Sequence, residues 1–196
     1  QFLYNSCGAI NETSLNNLSL VSSIAKHIHV TSDDYETSRN ELSSCFPKFL
    51  WVARDFSLQI VDDDGKPTDA TTYFNNALRL SPNSDPEEAK NKVRHAINDL
   101  FPQHKRQCVT MPRPCSDESK LQVLPDLDDS ELRPEFLNAL TRLKTIIFEE
   151  CQPMSVPGQE GLIINGPLLA TLCQTYVDAI NSNKVPVIRD SWSLLS

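Results

Sequence analysis

The sequence predicts an α/β fold: a mostly parallel sheet flanked by helices, with the start of an all-α helical unit at the C-terminal end. Three observations predict it. Phe49 to Ala53 is a continuous apolar, aromatic and β-branched run that breaks off sharply at Arg54-Asp55, as a buried strand does. Shorter strand-like runs, Phe2 to Tyr4 and Gln107 to Met111, are separated from it by stretches with helical periodicity. The last stretch, from Pro167 onward, carries a helical stripe alone.

In chain order, Phe2 to Tyr4 is read as a short strand and Asn5-Ser6-Cys7-Gly8 as its turn. Asn11 is placed to cap a helix from about Glu12 to His29, with Leu15, Leu18, Val21, Ile24, Ala25 and Ile28 on one face. His27 and His29 are two apart, do not share that face, and make no metal pair. Thr31 to Ser44 is polar and reads as a surface loop. After the central strand, Val61 to Pro67 is an acidic turn. Its Asp-x-Asp-Gly resembles the opening of a calcium loop, but Tyr73 stands where the twelfth-position Glu is needed. Thr68 is read as the cap of a helix carrying Tyr73, Phe74, Ala77, Leu78 and Leu80. Ser81-Pro-Asn-Ser-Asp-Pro86 breaks the chain, with Asp85 as N-cap and Pro86 at the first position of a helix bearing Ala89, Val93, Ala96, Ile97 and Leu100. Pro102 stops that helix, and Gln107 to Met111 returns to a strand. Pro125 to Ser130 is an acidic loop. Pro134 opens a helix to about Glu150, with Phe136, Leu137, Leu140, Leu143, Ile146, Ile147 and Phe148 as its core face. Gln152 to Glu160 has two prolines and a glycine and reads as a linker. The last helix carries Leu168, Leu169, Leu172, Tyr176, Val177 and Ile180 and ends at Asn181.

The totals narrow the function. The chain has 196 residues and 39% hydrophobic residues, enough for a real core and against general disorder. Its formal charge, 18 minus 26 or −8, argues against nucleic-acid binding and against a polybasic membrane anchor. Six cysteines stand at 7, 45, 108, 115, 151 and 173 with no C-x2-C spacing and no histidine cluster, so free thiols are expected rather than a disulfide framework or a zinc site. Cys7, Cys108 and Cys173 lie in apolar segments and read as small core residues. No apolar run reaches the roughly 18 residues of a membrane span. The chain is expected to be cytoplasmic, with membrane association only through segments it does not contain.

The chemistry centres on Arg54-Asp55. In open α/β sheets, ligands bind at the carboxyl ends of the strands. A carboxylate there can accept a forked pair of hydrogen bonds from the N1–H and exocyclic amine of guanine. Adenine lacks that donor pair and would leave the carboxylate unpaired. Such sites reject the analogue by roughly 10⁴–10⁵. The plain alternative is a strand-end ion pair that caps the sheet. Further along, Met111-Pro-Arg-Pro-Cys115 follows a strand directly, and its prolines leave Arg113 on a stiff loop. The plain alternative there is a turn with a surface arginine.

The wider segment Phe46-Pro-Lys-Phe-Leu-Trp-Val-Ala-Arg-Asp-Phe-Ser-Leu58 resembles the guanine-recognition segment of the guanylate-binding proteins, large interferon-inducible-type GTPases of the dynamin superfamily. Phe2 to Asn11, Leu132-Arg-Pro-Glu-Phe136, Gly161-Leu-Ile-Ile-Asn-Gly-Pro-Leu-Leu169 and Thr175 to Asn181 resemble other family segments, in the family's order. The resemblance implies the C-terminal part of a P-loop-type GTPase domain over residues 1–155 and the first helices of a helical middle domain over 156–196. It implies guanine binding by Arg54 and Asp55, with Arg54 orienting the carboxylate or stacking near the base. Arg113 and Pro114 then open the guanine cap. The family often carries further basic residues after that Arg-Pro. Here Cys115-Ser-Asp-Glu118 stands instead, at the segment that makes the family's dimer contacts.

The implied activity is binding and hydrolysis of GTP with Mg²⁺, in cell-autonomous immune defence, by a nucleotide-dependent homodimer. Phosphate handling needs G-x-x-x-x-G-K-[ST]. Of the five glycines only Gly161 and Gly166 have that spacing, and Pro167-Leu168 follows them. No residue of this chain is therefore expected to be catalytic or to bind the metal, and the chain reads as a fragment inactive alone. Alternatives are an atlastin-type membrane-fusion GTPase and a non-catalytic partner-binding half-domain.

Overall fold

The computed structural model describes residues 1–18, 43, 46–62, 64–80, 89–153, 155 and 163–182. Among them, three strands form one parallel sheet in the order β1 (Phe2–Cys7), β2 (Phe49–Arg54), β3 (Arg106–Met111). The helices are α1 (Glu12–Asn16), α2 (Ala70–Ala77), α3 (Ala89–Leu100), α4 (Glu118–Leu121), α5 (Pro134–Phe148) and α6 (Gly166–Asn181). The α/β class read from the sequence is the one observed.

β2 is central and buried along both faces until Arg54. A strand covered on both sides needs an unbroken apolar sequence rather than an alternating one. Its residues still divide by parity. Phe49, Trp51 and Ala53 enter one core with Leu15, Phe74, Val93, Ile97 and Phe101. Leu50 and Val52 enter the other with Val109, Met111 and Ile146. The first core is aromatic, with Phe49–Phe101 ring centroids 4.8 Å apart and Trp51–Phe74 centroids 5.0 Å apart. Each such pair adds roughly 0.5–1.5 kcal/mol to the burial of its rings. The Trp51 indole N–H donates to Ser6 Oγ at 2.8 Å, so its polar atom is satisfied inside the core.

β1 runs three residues further than the apolar run Phe2–Tyr4 suggests, through Asn5, Ser6 and Cys7, and the turn comes at Gly8 with φ +74°. An edge strand alternates, and Asn5 and Ser6 are the partners of Arg54 and Trp51 in β2. Cys7 is consequently exposed, as is Cys173, whereas Cys108 and Cys115 are buried. Thus Cys108 is a core residue as read, and Cys7 and Cys173 are not.

Local signals explain the helix starts. Asn11 and Ser14 form a reciprocal capping box at α1. Asp69, not Thr68, caps α2: its carboxylate accepts from the N–H groups of Thr71 and Thr72 at 2.8 and 3.0 Å. Pro134 occupies the first turn of α5. Arg94 of α3 pairs with Glu12 of α1 and donates to the Ala77 carbonyl of α2 at 3.1 Å, joining three helices on the aromatic face. The acidic turn closes on itself, with Asp62 Oδ1 accepting from the N–H groups of Asp64 and Lys66. The acidic stretch before α5 holds two 3-10 turns, Leu124–Asp126 and Asp129–Glu131.

Two apolar stripes are less covered than their periodicity suggests. Phe148, the last residue of α5, is 80% exposed, while Ile146 of the same turn is buried against the sheet. On α6, Leu172 is buried while Leu169 and Val177 are about half exposed. Ser155 and Ile163 form an antiparallel bridge across the stretch read as a linker. The helix expected beyond Leu18 to His29, the loop expected over Thr31–Ser44 save Ser43, and the break expected at Ser81–Pro86 lie outside the described residues.

Candidate functional site

The parallel register ends all three strands on one rung: Cys7 pairs with Arg54, and Arg54 with Met111. Gly8, Asp55 and Pro112 therefore follow side by side at the carboxyl edge. Two main-chain bonds carry the ladder past that rung. Gly8 N–H donates to the Arg54 carbonyl at 2.6 Å, and Phe56 N–H donates to the Met111 carbonyl at 3.0 Å. Between these two clamps the chain must turn out of β2, and Asp55 does so with φ +52°. It is the one non-glycine residue with positive φ among the described residues. Left-handed backbone costs about 1–2 kcal/mol for a residue with a side chain, least for Asn and Asp. Phe56 fixes the far side of the turn, nearly buried and edge-on to Tyr73 at 5.6 Å.

The turn leaves the Asp55 carboxylate exposed and little engaged. Its one hydrogen bond among the described residues is from the Cys7 thiol to Oδ2, at 3.6 Å. A thiol is a weak donor. Arg54 does not orient this carboxylate: its Nε donates instead to Asn5 Oδ1 at 2.7 Å, so the adjacent charges are not an ion pair. Arg54 keeps its strand position and reaches Asn5, whereas Asp55 has left the strand in the left-handed turn. Arg54 thus ties β2 to β1 and frees Asp55.

A cleft of about 400 Å³ opens at this edge, lined among others by Asp55, Phe56, Ser57, Pro112, Arg113 and Arg133. Ligand pockets of small molecules begin at roughly 300 Å³. Arg113 reaches it from the loop after β3 and donates to Glu118 at 3.1 Å. Pro114 is buried, and its carbonyl accepts from the Arg133 N–H at 2.8 Å. That bond pins the start of α5 to the loop after β3. Asp55 and Arg113, read from two separate motifs, thus line one cleft, while Pro114 lies buried beside Arg113 and Arg54 is held at the strand end by Asn5.

Three contributors were not singled out by the sequence: Asn5, Cys7 and Arg133. The first two could be found only from the register, which sets Cys7 opposite Arg54. Arg133 lies within the recognised Leu132-Arg-Pro-Glu-Phe136 segment, where the proline marks a helix start and hides the cleft role of the residue before it.

No group of three or more His, Cys, Asp and Glu side chains is arranged to hold a metal among the described residues. Nor is Cys108 a candidate nucleophile: burial pushes its thiol up to about 12. No described helix is long and apolar enough to cross a membrane.

The chain matches the family model of the guanylate-binding protein N-terminal domain over residues 1–155 and that of the C-terminal domain over residues 160–196. It is 34% identical to human guanylate-binding protein 4 over 200 residues, covering 100% of this chain and 30% of that protein. It is 32% identical to human guanylate-binding protein 7 with the same coverage. To human guanylate-binding protein 1 it is 34% identical over 197 residues, 97% of this chain and 32% of that protein. The chain thus spans about three-tenths of the length of these relatives. The two family models together take in nearly the whole sequence, and on that ground the chain belongs to the guanylate-binding protein family.

Proposed function

We propose that this chain supplies the base-recognising part of a GTP-binding and GTP-hydrolysing protein. The observation that carries the reading is Asp55. Its carboxylate stands at the carboxyl edge of a parallel sheet, held there by a left-handed turn and, among the described residues, accepting only a thiol. Backbone strain kept at a strand end, with a charged group left open to a cleft, is the mark of a functional position. Guanine N1–H and its exocyclic amine satisfy the two carboxylate oxygens as a forked pair.

Arg54 acts as a positioning residue through Asn5, and Arg113 and Pro114 open the guanine cap. None of the four is a nucleophile, acid or base. Hydrolysis of GTP is mostly positioning and neutralisation of charge around the phosphates. That chemistry, with Mg²⁺, belongs to parts of the complete protein outside this chain, and the chain alone is inactive. Residues 1–155 belong to the GTPase domain and 156–196 begin the helical domain. The complete protein is a cytoplasmic, nucleotide-dependent homodimer of immune defence. The relatives' names support the guanine-nucleotide part of this reading, and their greater length supports a larger complete protein.

The test is Asp55→Asn in the complete protein. Guanine-over-adenine discrimination should collapse by a factor approaching 10⁴, while melting stays unchanged. Asn accepts left-handed backbone about as well as Asp. Unchanged preference for GTP over ATP would overturn the assignment.

A further inference from the structure

We infer that Arg133 reads the second edge of the guanine base, by donating to its O6 and N7. The inference rests on the reading of Asp55 just given. Two arginines line the cleft, and their states differ. Arg113 is engaged by Glu118 at 3.1 Å. The Arg133 guanidinium makes no hydrogen bond among the described residues; its nearest counter-charge is Glu135, with 3.6 Å between Nε and Oε2. That separation lies beyond a proper hydrogen bond. Its fork of donors is therefore open, on a residue whose own main chain is fixed. Arg133 N–H donates to the Pro114 carbonyl at 2.8 Å, and α5 begins at the next residue.

The cleft thus offers one open carboxylate, Asp55, and one open guanidinium, Arg133. Guanine has a matching pair of edges: N1–H and the amine donate, while O6 and N7 accept. A planar guanidinium across O6 and N7 is the commonest specific contact that proteins make to guanine in duplex DNA, and the same edge is offered by the free base. Adenine presents an amine in place of O6, so it would meet a donor with a donor. Arg133 would then reject adenine on the edge that Asp55 does not touch.

The probes are GDP, 7-deaza-GDP, which carries C–H in place of N7, and ADP, bound to the complete protein. The unaltered protein should bind 7-deaza-GDP about tenfold more weakly than GDP. In Arg133→Ala that ratio should fall to near one. In Arg133→Lys, which keeps the charge but loses the planar fork, it should fall as well. The ratio is insensitive to a general loss of fold, so a purely structural Arg133 would leave it unchanged. Equal binding of GDP and 7-deaza-GDP by the unaltered protein would overturn the inference, as would a tenfold ratio persisting in both variants. Failure of the Asp55 reading looks different: Asp55→Asn would then leave the preference for GDP over ADP unchanged, whatever the 7-deaza-GDP ratio.

Discussion

The two ends of the sheet treat charge in opposite ways. At the amino end, Arg106 opens β3 and is buried at 8% exposure. Its Nε donates to Asn75 Oδ1 at 2.7 Å, and its Nη1 donates to Asn98 Oδ1 at 2.5 Å and to the Phe101 carbonyl at 3.2 Å. The guanidinium also lies 5.9 Å from the centre of the Phe74 ring. Burial pulls its pKa below the ordinary arginine value. Every contact there joins β3 to α2, to α3 or to the turn after α3. At the carboxyl end, Asp55 and Arg133 face a cleft with their hydrogen-bonding capacity largely open. The difference teaches that charge alone does not mark a site. What marks it is charge held in place by the backbone with most of its hydrogen-bonding capacity still open.

The same contrast holds between two aspartates. Asp69 accepts from the N–H groups of Thr71 and Thr72 and from the Thr72 hydroxyl at 2.6 Å. The Thr72 bonds hold its carboxyl below the ordinary range. Asp55 does no such structural work.

The largest effect that can break this comparison is at Asp55. Asp55→Gly removes the carboxylate and also relieves the positive φ. Guanine preference should drop by a factor approaching 10⁴, with stability unchanged or raised by up to about 1 kcal/mol. Nucleotide binding and thermal melting measured on the same preparation check both halves. A marked loss of stability would mean that Asp55 is structural after all.

The next effect is at the opposite end. Arg106→Met keeps an apolar stem but leaves Asn75, Asn98 and the Phe101 carbonyl without their donor. Denaturation in urea should show a loss of about 3 kcal/mol, with guanine preference intact. A loss of preference without loss of stability would erase the division between the two ends.

The smallest effect is at the α2 cap, where Asp69→Ala should cost about 1 kcal/mol at neutral pH. The sign with pH follows from the lowered carboxyl. Its contribution is fully present above the unfolded value of 3.8 and is lost as pH falls through the lower folded value. The gap between parent and variant should therefore close on acidification below about pH 4. A gap that widens there would show that the Thr71 and Thr72 bonds are not its source.

Much of this arrangement was legible because β2 is covered on both faces. A strand so placed must be apolar throughout, so its end at Arg54-Asp55 stands out. The carboxylate's position on a ligand-binding edge followed from that end alone. The partner of Arg54 did not, because adjacency in sequence suggests an ion pair, whereas the partner is Asn5 on the neighbouring strand. β1 was read short because its last three residues obey the alternation of an edge strand. The cap of α2 fell one residue late of Thr68, where both residues are good caps and only the backbone of the turn decides. Arg133 was hidden for a different reason. Its neighbours around the cleft, Asp55 and Arg113, are far away in the chain, and no local pattern records them.

The most direct measurement is a structure of the complete protein with GDP bound. Guanine N1 and its exocyclic amine should each lie within about 3.2 Å of an Asp55 carboxylate oxygen, with the base inside the cleft below Arg113. A base bound elsewhere, or an Asp55 carboxylate turned away from it toward Arg54, would contradict the assignment of this sheet end as the guanine site.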